Sequence, residues 1–304
     1  MKWDIIIRMT LFFAAVTNRD YLKIDGKLYD FGDLLDVQPD GWLISLQYMR
    51  KIHPKRGIKI FDCGAWTYRD KEYPEVNGER LTPQKASDMY SSVASPVDFA
   101  VAPDHMHLKD MDADVWALRK KNNFVAAEEF INLSGGYVPM GVVHGEDDDS
   151  AIEYALRLVS IGYRHLSIGG LAAMARSRKK VVSRVRHIVS EMPSGIWIHA
   201  LGVTAPYFIE QWHTIPISSF DGSSYFYKAL TAGHFLVVSG YDFDRLDIKK
   251  DVLPSCDCRA CTTVTDLGYD TQKYGNSVNN LGRAAHNLNM YIKLNGLWKK
   301  KKLP

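Results

Sequence analysis

Residues 138–168 read VPMGVVHGEDDDSAIEYALRLVSIGYRHLSI, and this stretch decides the fold. A short β-rich run, Val138–Val143, comes before an amphipathic stretch, Asp149–Ile161, and a second β-rich run, Leu166–Ile168, follows. A strand, a helix and a strand in this order predict two parallel strands that are joined by a helical crossover.

The same alternation continues along most of the chain. Thr82 and Pro83, for example, provide an N-cap and a proline at the first helical position. The other predicted strands are Ile5–Met9, Trp42–Leu46, Ile58–Phe61, Phe99–Ala102, Ile196–Leu201 and Ile217–Phe220, and the other predicted helices are Pro83–Ala94, Asp114–Leu133 and Arg176–Met192. Eight such strands predict an α/β fold, a (β/α)8 TIM-type barrel, as one domain over residues 1–304.

Three of the four cysteines stand within six residues, at Cys256, Cys258 and Cys261. With His286 they offer the nitrogen and sulfur ligands of a tetrahedral zinc site. The alternatives are an incidental cluster or a disulfide, but a disulfide would leave the third thiol unpaired. Because four protein ligands leave no open position, we expect a structural Zn²⁺ in a small subdomain inserted at residues 250–290.

Basic residues are concentrated in short segments, although the formal net charge is only +3. Such clusters suit a polyanion-binding face, whereas a solvated helix face or a basic tail is the ordinary alternative for each cluster alone. The first cluster is Arg176, Arg178, Lys179, Lys180, Arg184 and Arg186, and its first four members are the candidate nucleic-acid contacts. The other clusters are Arg50, Lys51, Lys55, Arg56 and Lys59, and Lys299 to Lys302.

The sequence has no feature that indicates a membrane or secreted protein. No run of about 18 apolar residues exists. The opening Ile5-Ile6-Ile7 is too short, and too soon followed by Arg8, for a signal peptide. Few cysteines, most of them assigned to a metal, suit a reducing compartment. We therefore expect a cytoplasmic protein with no membrane partner.

Polar and glycine residues stand at the carboxyl ends of several predicted strands. Three of these ends carry an aspartate, at Asp62, Asp104 and Asp221, and two others carry His144 and the pair Gly169-Gly170. Barrel enzymes build their active sites at this face. Each residue alone is usually an N-cap or a turn residue, but together they predict an active site.

These strand ends resemble the motifs of the tRNA-guanine transglycosylase superfamily and occur in that family's order. The resemblance extends from about Trp42 to about Leu294, and the cysteine and histidine set resembles the family's zinc knot. The shared order and the zinc set together make the match specific. The matching segments are Asp62-Cys63-Gly64-Ala65-Trp66, Asp104, Gly141-Val142-Val143-His144-Gly145, Gly162-Tyr163, Ile168-Gly169-Gly170-Leu171-Ala172, Ala200-Leu201-Gly202-Val203, Phe220-Asp221 and His286-Asn287-Leu288.

Two departures bear on the substrate. Members that act on tRNA follow the nucleophile with a Pro-Thr-Arg segment, whereas residues 221–227 here read DGSSYFY. The family's base-reading glutamine is replaced by His144. The sequence is therefore more similar to the branch that places 7-deazaguanines into the DNA of phages and bacteria.

The resemblance implies a base exchange on DNA through a covalent intermediate. Asp221 would be the nucleophile that attacks C1′ of the sugar. Asp62 would be the general acid and base that assists the departure of guanine and deprotonates the incoming base, as in a retaining glycosidase. The incoming base would be a 7-deazaguanine, with 7-cyano-7-deazaguanine as the first choice, and the protein would work in a bacterial or phage-infected cytoplasm.

The resemblance also implies how the base is held. Asp104 would accept hydrogen bonds from the purine, and backbone N–H groups near Gly169 and Gly170 would donate to its carbonyl oxygen. Trp66 and Leu201 would enclose the flat ring, with stacking that contributes about 1–3 kcal/mol. For His144, a contact with the base and an ordinary place in the core are both open.

Other functions stay open at this point. They are a transglycosylase of tRNA, a zinc-stabilised nucleic-acid-binding barrel without catalysis, and a glycosidase or metal-dependent hydrolase on the same fold. The retained aspartates argue against pure binding. The resemblance also leaves open a homodimer or an accessory modification protein as a partner.

Overall fold

Eight parallel strands close into a barrel in the computed structural model. The structure describes residues 9–17, 19–49, 57–108, 111–133 and 135–302, with the backbone alone at Lys302. The strands are β1 (Leu11–Ala15), β2 (Gly41–Ser45), β3 (Ile58–Asp62), β4 (Phe99–Val101), β5 (Val138–Val143), β6 (His165–Ile168), β7 (Trp197–Ala200) and β8 (Ser219–Gly222). Each strand pairs with the next, and β8 pairs with β1. The predicted (β/α)8 barrel is confirmed.

Helices follow the strands from β3 to β8. Between β1 and β2 the chain instead forms a hairpin, Tyr21–Ile24 with Lys27–Asp30, and a 3₁₀ helix, Phe31–Leu34. No helix in the described part of the chain is both long enough and apolar enough to cross a membrane. The helices are α1 (Pro83–Ser91), α2 (Ala113–Ile131), α3 (Asp148–Ser160), α4 (Leu171–Met174), α5 (Arg178–Glu191), α6 (Pro206–Trp212), α7 (Ser224–Leu230), α8 (Arg259–Asp266) and α9 (Ser277–Lys302).

Side chains at the first turns fix where the helices begin. The Thr82 side chain accepts a hydrogen bond from the Lys85 backbone N–H at the start of α1. Asp147 and Ser150 form a reciprocal capping box at the start of α3. These contacts satisfy N–H groups that have no partner within the helix. Because α3 directly follows β5, its capped end lies at the same face of the barrel as the strand ends.

Seven of the eight predicted strands coincide with barrel strands to within two residues. The exception is Ile5–Met9, which lies outside the described residues except for Met9, a residue in a bend. The strand that pairs with β8 and β2 is instead Leu11–Ala15. Its central residues are buried on both faces of the sheet, as is usual for a parallel barrel strand.

The barrel strands separate two apolar layers. Residues such as Phe13, Leu43 and Met140 fill the interior, whereas their neighbours Phe12 and Trp42 pack outward against the helices. This follows from the alternation of side chains along a strand. Four buried positions on β6, β7 and β8 are polar, however. They are Ser167, His199, Ser219 and Asp221.

The C-terminal helix α9 connects the barrel with the cysteine-rich segment. It packs on α7, on α8 and on the hairpin of His234–Ser239 with Asp242–Asp247. Arg283 on α9 is fully buried, and its guanidinium donates to the backbone oxygens of Ala229, in α7, and of Thr271. Burial lowers the pKa of Arg283 to about 10. One helix therefore holds both the end of α7 and the segment that carries the cysteines.

Candidate active site and metal centre

Asp221, the predicted nucleophile, lies at the carboxyl end of β8 and is 4% exposed. Its Oδ1 accepts a hydrogen bond from the Gly202 backbone N–H at 2.7 Å. Nε2 of His199 lies 3.1 Å from the same oxygen. Within the described part of the chain, both hydrogen bonds to this carboxyl group go to Oδ1. The other oxygen, Oδ2, is therefore available to a ligand.

His199 and Ser219 are site residues that the sequence analysis missed. His199 on β7 is opposite Ser219 on β8, and its Nδ1 lies 2.8 Å from the Ser219 hydroxyl oxygen. The same oxygen accepts a hydrogen bond of 2.9 Å from Nε1 of Trp197. The signal was available in the alternation of β8, because Ser219 precedes Asp221 by two residues and so shares its face.

Asp62, the predicted acid and base, lies at the carboxyl end of β3 and is half-buried. Burial raises its pKa to about 7, and the charges of Asp104 and Asp221 act in the same direction. Its Oδ2 accepts a hydrogen bond of 2.9 Å from the Gly64 N–H, which opposes the shift. Gly64 has φ +86°, and a Cβ there would lie 2.8 Å from the Ser45 hydroxyl oxygen. A glycine is thus required where the chain turns back to bind Asp62.

Asp104 follows β4 and is buried. The Cys63 thiol donates to its Oδ1 at 3.0 Å, and the Tyr68 hydroxyl donates to its backbone oxygen at 2.8 Å. Burial raises the pKa of Cys63 well above its usual value, so this side chain remains a thiol that can donate. The predicted base-reading carboxyl is therefore fixed on one side by residues of the loop that follows β3.

His144 follows β5 and lies beside the second oxygen of Asp104. Its Nε2 is 3.2 Å from Asp104 Oδ2 but lacks the alignment of a hydrogen bond, and it finds no other partner in the described part of the chain. The rings of Trp116 and Tyr154 contact the imidazole edge to face, with centroids 5.8 and 5.7 Å away. A buried nitrogen without a partner next to a carboxylate is a place where a polar ligand can bind.

The predicted glycine pair forms the turn between β6 and α4. The Gly169 N–H donates to the Val143 backbone oxygen at 3.1 Å, so this group is already used within the barrel. Gly170 has φ +74°, and a Cβ at this position would meet open space. The turn conformation therefore favours glycine at position 170, and the space beside it is free for a ligand.

Trp66 and Leu201, the predicted stacking residues, differ in their surroundings. Leu201 follows β7, is half-buried and packs on the apolar interior of the barrel. Trp66 is 55% exposed, and the Arg69 guanidinium lies 4.8 Å from its ring centroid. An exposed indole in the loop that follows β3 is accessible to a flat ligand at the barrel opening.

Cys256, Cys258, Cys261 and His286 form a cluster that could hold a metal ion. Their candidate ligand atoms all lie within 4.8 Å of one another, and each sulfur is 3.4 Å from His286 Nδ1. A tetrahedral zinc ion with ordinary bond lengths would hold sulfur and nitrogen about 3.5 Å apart. His286 Nε2 lies 2.8 Å from the Leu236 backbone oxygen, which directs Nδ1 at the sulfurs. The donor set fits zinc.

The predicted nucleic-acid contacts are exposed. Arg176 precedes α5, and Arg178, Lys179 and Lys180 form its first turn. Because α5 follows β6 and the short helix α4 and leads back to β7, its first turn lies at the barrel face that carries the aspartates. The Arg178 guanidinium lies 5.6 Å from the ring centroid of Tyr207. In the second basic cluster, Arg50, Lys51, Lys55 and Arg56 fall outside the described residues.

Two comparisons with known proteins agree with this geometry. A family model described as queuine tRNA-ribosyltransferase matches residues 105–298, which include Asp221 and the metal cluster. A DNA-guanine transglycosylase of Salmonella montevideo is 22% identical to this chain over 174 residues. The alignment covers 54% of this chain and 40% of that protein, so this chain spans less than half of the relative's length.

Proposed function

This chain belongs to the queuine tRNA-ribosyltransferase family, and we propose that it replaces guanine in DNA with a 7-deazaguanine. The observation that carries this proposal is the difference between two carboxyl groups at one end of the barrel. Burial and neighbouring charge raise the pKa of Asp62 to about 7, whereas Asp221 accepts two N–H donors through one oxygen. A pair of carboxyls in unequal environments is what a retaining exchange at a sugar carbon needs.

In the first step, Oδ2 of Asp221 attacks C1′ of the target deoxyribose. The bond between C1′ and N9 of guanine breaks, and its electron pair goes to the purine. Asp62 in its protonated form donates a proton to the departing base. The DNA strand stays intact because the sugar remains attached to Asp221 as an ester.

In the second step, the carboxylate of Asp62 accepts the N9 proton of the incoming 7-deazaguanine. The lone pair of N9 attacks C1′, and the bond from C1′ to Oδ2 breaks, which returns its electron pair to Asp221. The proton count is balanced, since Asp62 loses one proton in the first step and regains one in the second. A group with a pKa near 7 suits both roles at neutral pH.

The base would be read by groups that surround Asp104. The free edge of the Asp104 carboxylate accepts from the purine's amino and ring N–H groups. His144, whose buried Nε2 has no hydrogen-bond partner within the described residues, contacts a polar atom of the base. The open space beside Gly170 admits the carbonyl edge, while Leu201 and Trp66 enclose the ring. A flipped-out base would need all of these contacts to offset its lost stacking.

DNA is the proposed nucleic acid, and zinc is the proposed metal. The segment after Asp221 lacks the Pro-Thr-Arg of tRNA-acting members, and the relative from Salmonella montevideo is described as a DNA-guanine transglycosylase. Arg176, Arg178, Lys179 and Lys180 would hold phosphates at the barrel rim. The three cysteines and His286 would hold a structural zinc, because all four positions of a tetrahedral ion are taken by protein.

An exchange assay tests the proposal. Purified protein is incubated with duplex DNA or with tRNA, each carrying radiolabelled guanine, together with 7-cyano-7-deazaguanine. Loss of label from DNA alone supports the proposal, and 7-aminomethyl and 7-amidino bases then identify the preferred substrate. Loss from tRNA alone would overturn the choice of DNA. Loss from neither, with no covalent adduct on a denaturing gel, would overturn the exchange reaction itself.

A further inference from the structure

We propose that His199 is a positioning residue that leaves Oδ2 of Asp221 as the only attacking oxygen and stabilises the carboxylate against its ester. This inference rests on the proposed exchange reaction. His199 lies outside the segments that resemble the family's motifs. Its role follows from its contacts with residues on β8, Ser219 and Asp221.

The two donors to Asp221 distinguish its oxygens. His199 Nε2, on β7, lies 3.1 Å from Oδ1, and the Gly202 N–H, in the turn directly after β7, donates to the same oxygen at 2.7 Å. Two donors on one oxygen restrict rotation of the carboxyl group about its Cβ–Cγ bond. The same contacts hold negative charge on Oδ1, so Oδ2 faces the sugar with its lone pairs free.

The neighbours of His199 decide which nitrogen carries the proton. The indole N–H of Trp197 can only donate, and it occupies a lone pair of the Ser219 hydroxyl oxygen at 2.9 Å. The Ser219 hydroxyl hydrogen is then directed at His199 Nδ1, which lies 2.8 Å away. With Nδ1 as the acceptor, the neutral imidazole has its N–H at Nε2, where Asp221 accepts it. The order of donation is Trp197, Ser219, His199, Asp221.

Burial makes this series of hydrogen bonds effective. His199 and Ser219 are fully buried, and the ring of Phe13 contacts the imidazole edge to face at 6.0 Å. Water does not compete for these groups, so each hydrogen bond is stronger than at the surface, and an unmade one is costly. This series of buried hydrogen bonds fixes the orientation of the Asp221 carboxylate, which is its last member.

The donor to Oδ1 affects the two chemical steps differently. When Asp221 forms the ester, the negative charge leaves the carboxyl group, and when the ester breaks, the charge returns. A donor on Oδ1 therefore favours the free carboxylate over the covalent intermediate. Without His199, the equilibrium between DNA plus enzyme and the covalent adduct plus guanine should shift toward the adduct.

The test compares His199→Phe with His199→Gln, whose amide can still donate to Asp221 and accept from Ser219. Adduct is quantified on denaturing gels at a fixed guanine concentration, and kcat and KM for the incoming base are measured in parallel. For His199→Phe we expect kcat to fall about 10- to 100-fold, KM to change little and the adduct fraction to rise several-fold. His199→Gln should restore most of kcat and the wild-type adduct fraction.

Three outcomes separate the possible failures. If wild-type protein forms an adduct and His199→Phe lowers adduct and kcat in proportion, His199 is merely structural and this proposal is overturned. If wild-type protein forms no adduct and exchanges no base, the proposed function is overturned, and the proposed role of His199 is overturned with it. Nitrogen NMR of labelled histidine supplies a readout without activity, since a proton on Nδ1 of His199 rather than on Nε2 would also overturn the proposal.

Discussion

The barrel opening and the cysteine-rich cluster both gather titratable side chains, but they arrange them in opposite ways. In the cluster, four ligand atoms lie within 4.8 Å of one another, so one ion can satisfy all of them. At the opening, Asp62, Asp104 and Asp221 each have separate hydrogen-bond partners. Ligand atoms that converge on one point form a closed metal site. Carboxyl groups in separate environments can differ in protonation at one pH, which acid–base chemistry requires.

Replacing Asp221, the proposed nucleophile, should have the largest effect and should leave the cysteine-rich cluster unchanged. In Asp221→Asn, the amide oxygen can still accept from Gly202, but the group cannot attack C1′. We expect exchange to fall by at least about 10⁴-fold, with no covalent adduct on a denaturing gel. Zinc content and Tm should match those of Asp244→Asn, a control on the exposed hairpin. An active Asp221→Asn protein would remove Asp221 from the chemistry.

Replacing Asp62, the proposed acid and base, should have the next largest effect. Asp62→Asn keeps an acceptor for the Gly64 N–H but cannot exchange a proton, so we expect kcat to fall about 10²- to 10⁴-fold. The fall in kcat should be smallest for an incoming base or a leaving group whose N–H is more acidic. Equal losses for all bases, measured across a substrate series, would assign Asp62 to binding rather than proton transfer.

The raised pKa of Asp62 predicts two dependences on pH. The first step needs the protonated carboxyl, so kcat/KM for DNA should fall as pH rises through about 7. The folded state binds this proton more tightly than the unfolded state, so the free energy of unfolding falls as pH rises from about 4, and the loss is complete above about pH 7. Asp62→Asn should therefore have a higher Tm than wild type at pH 8 and about the same Tm at pH 4. A Tm difference that is independent of pH would contradict this reading.

A change in the cluster should affect stability rather than chemistry. We expect Cys258→Ala to lose its zinc and several degrees or more of Tm, because binding of a structural metal contributes directly to the folding free energy. The kcat per folded molecule should stay within about threefold of wild type, the opposite of the Asp221→Asn result. A well-folded but inactive Cys258→Ala protein would indicate a catalytic metal.

The smallest expected effect lies at the rim of the barrel. Removing two charges in Lys179→Gln with Lys180→Gln should reduce the slope of log K against log salt by about 1.8 for duplex DNA. The control, Arg164→Gln with Arg186→Gln, removes two exposed charges farther from the first turn of α5, and we expect no change in slope. Equal slopes for the two variants would exclude this turn from the interface.

Local patterns in the sequence predicted most of the barrel. Val138–Val143 and Asp148–Ser160 appear in the structure almost as predicted, because alternation and helix capping are local properties. The first barrel strand, Leu11–Ala15, was not among the predicted strands and is identified by its pairing with β8, whereas the predicted Ile5–Met9 lies outside the described residues except for Met9. The motif aspartates were found at strand ends, whereas the contact of His199 with Asp221 depends on the register between β7 and β8.

Pairing of β1 with β8 also sets an order of events during synthesis. Leu11 is made long before its partner Ser219, which emerges only after most of the barrel. Contacts between such distant residues form slowly and late. The pairing of β1 with β8, the strand that carries Asp221, is thus completed last. Arg283 on α9 then binds the end of α7, the helix that follows β8. A nascent chain on the ribosome would therefore have folded helices long before Asp221 lies in a closed barrel.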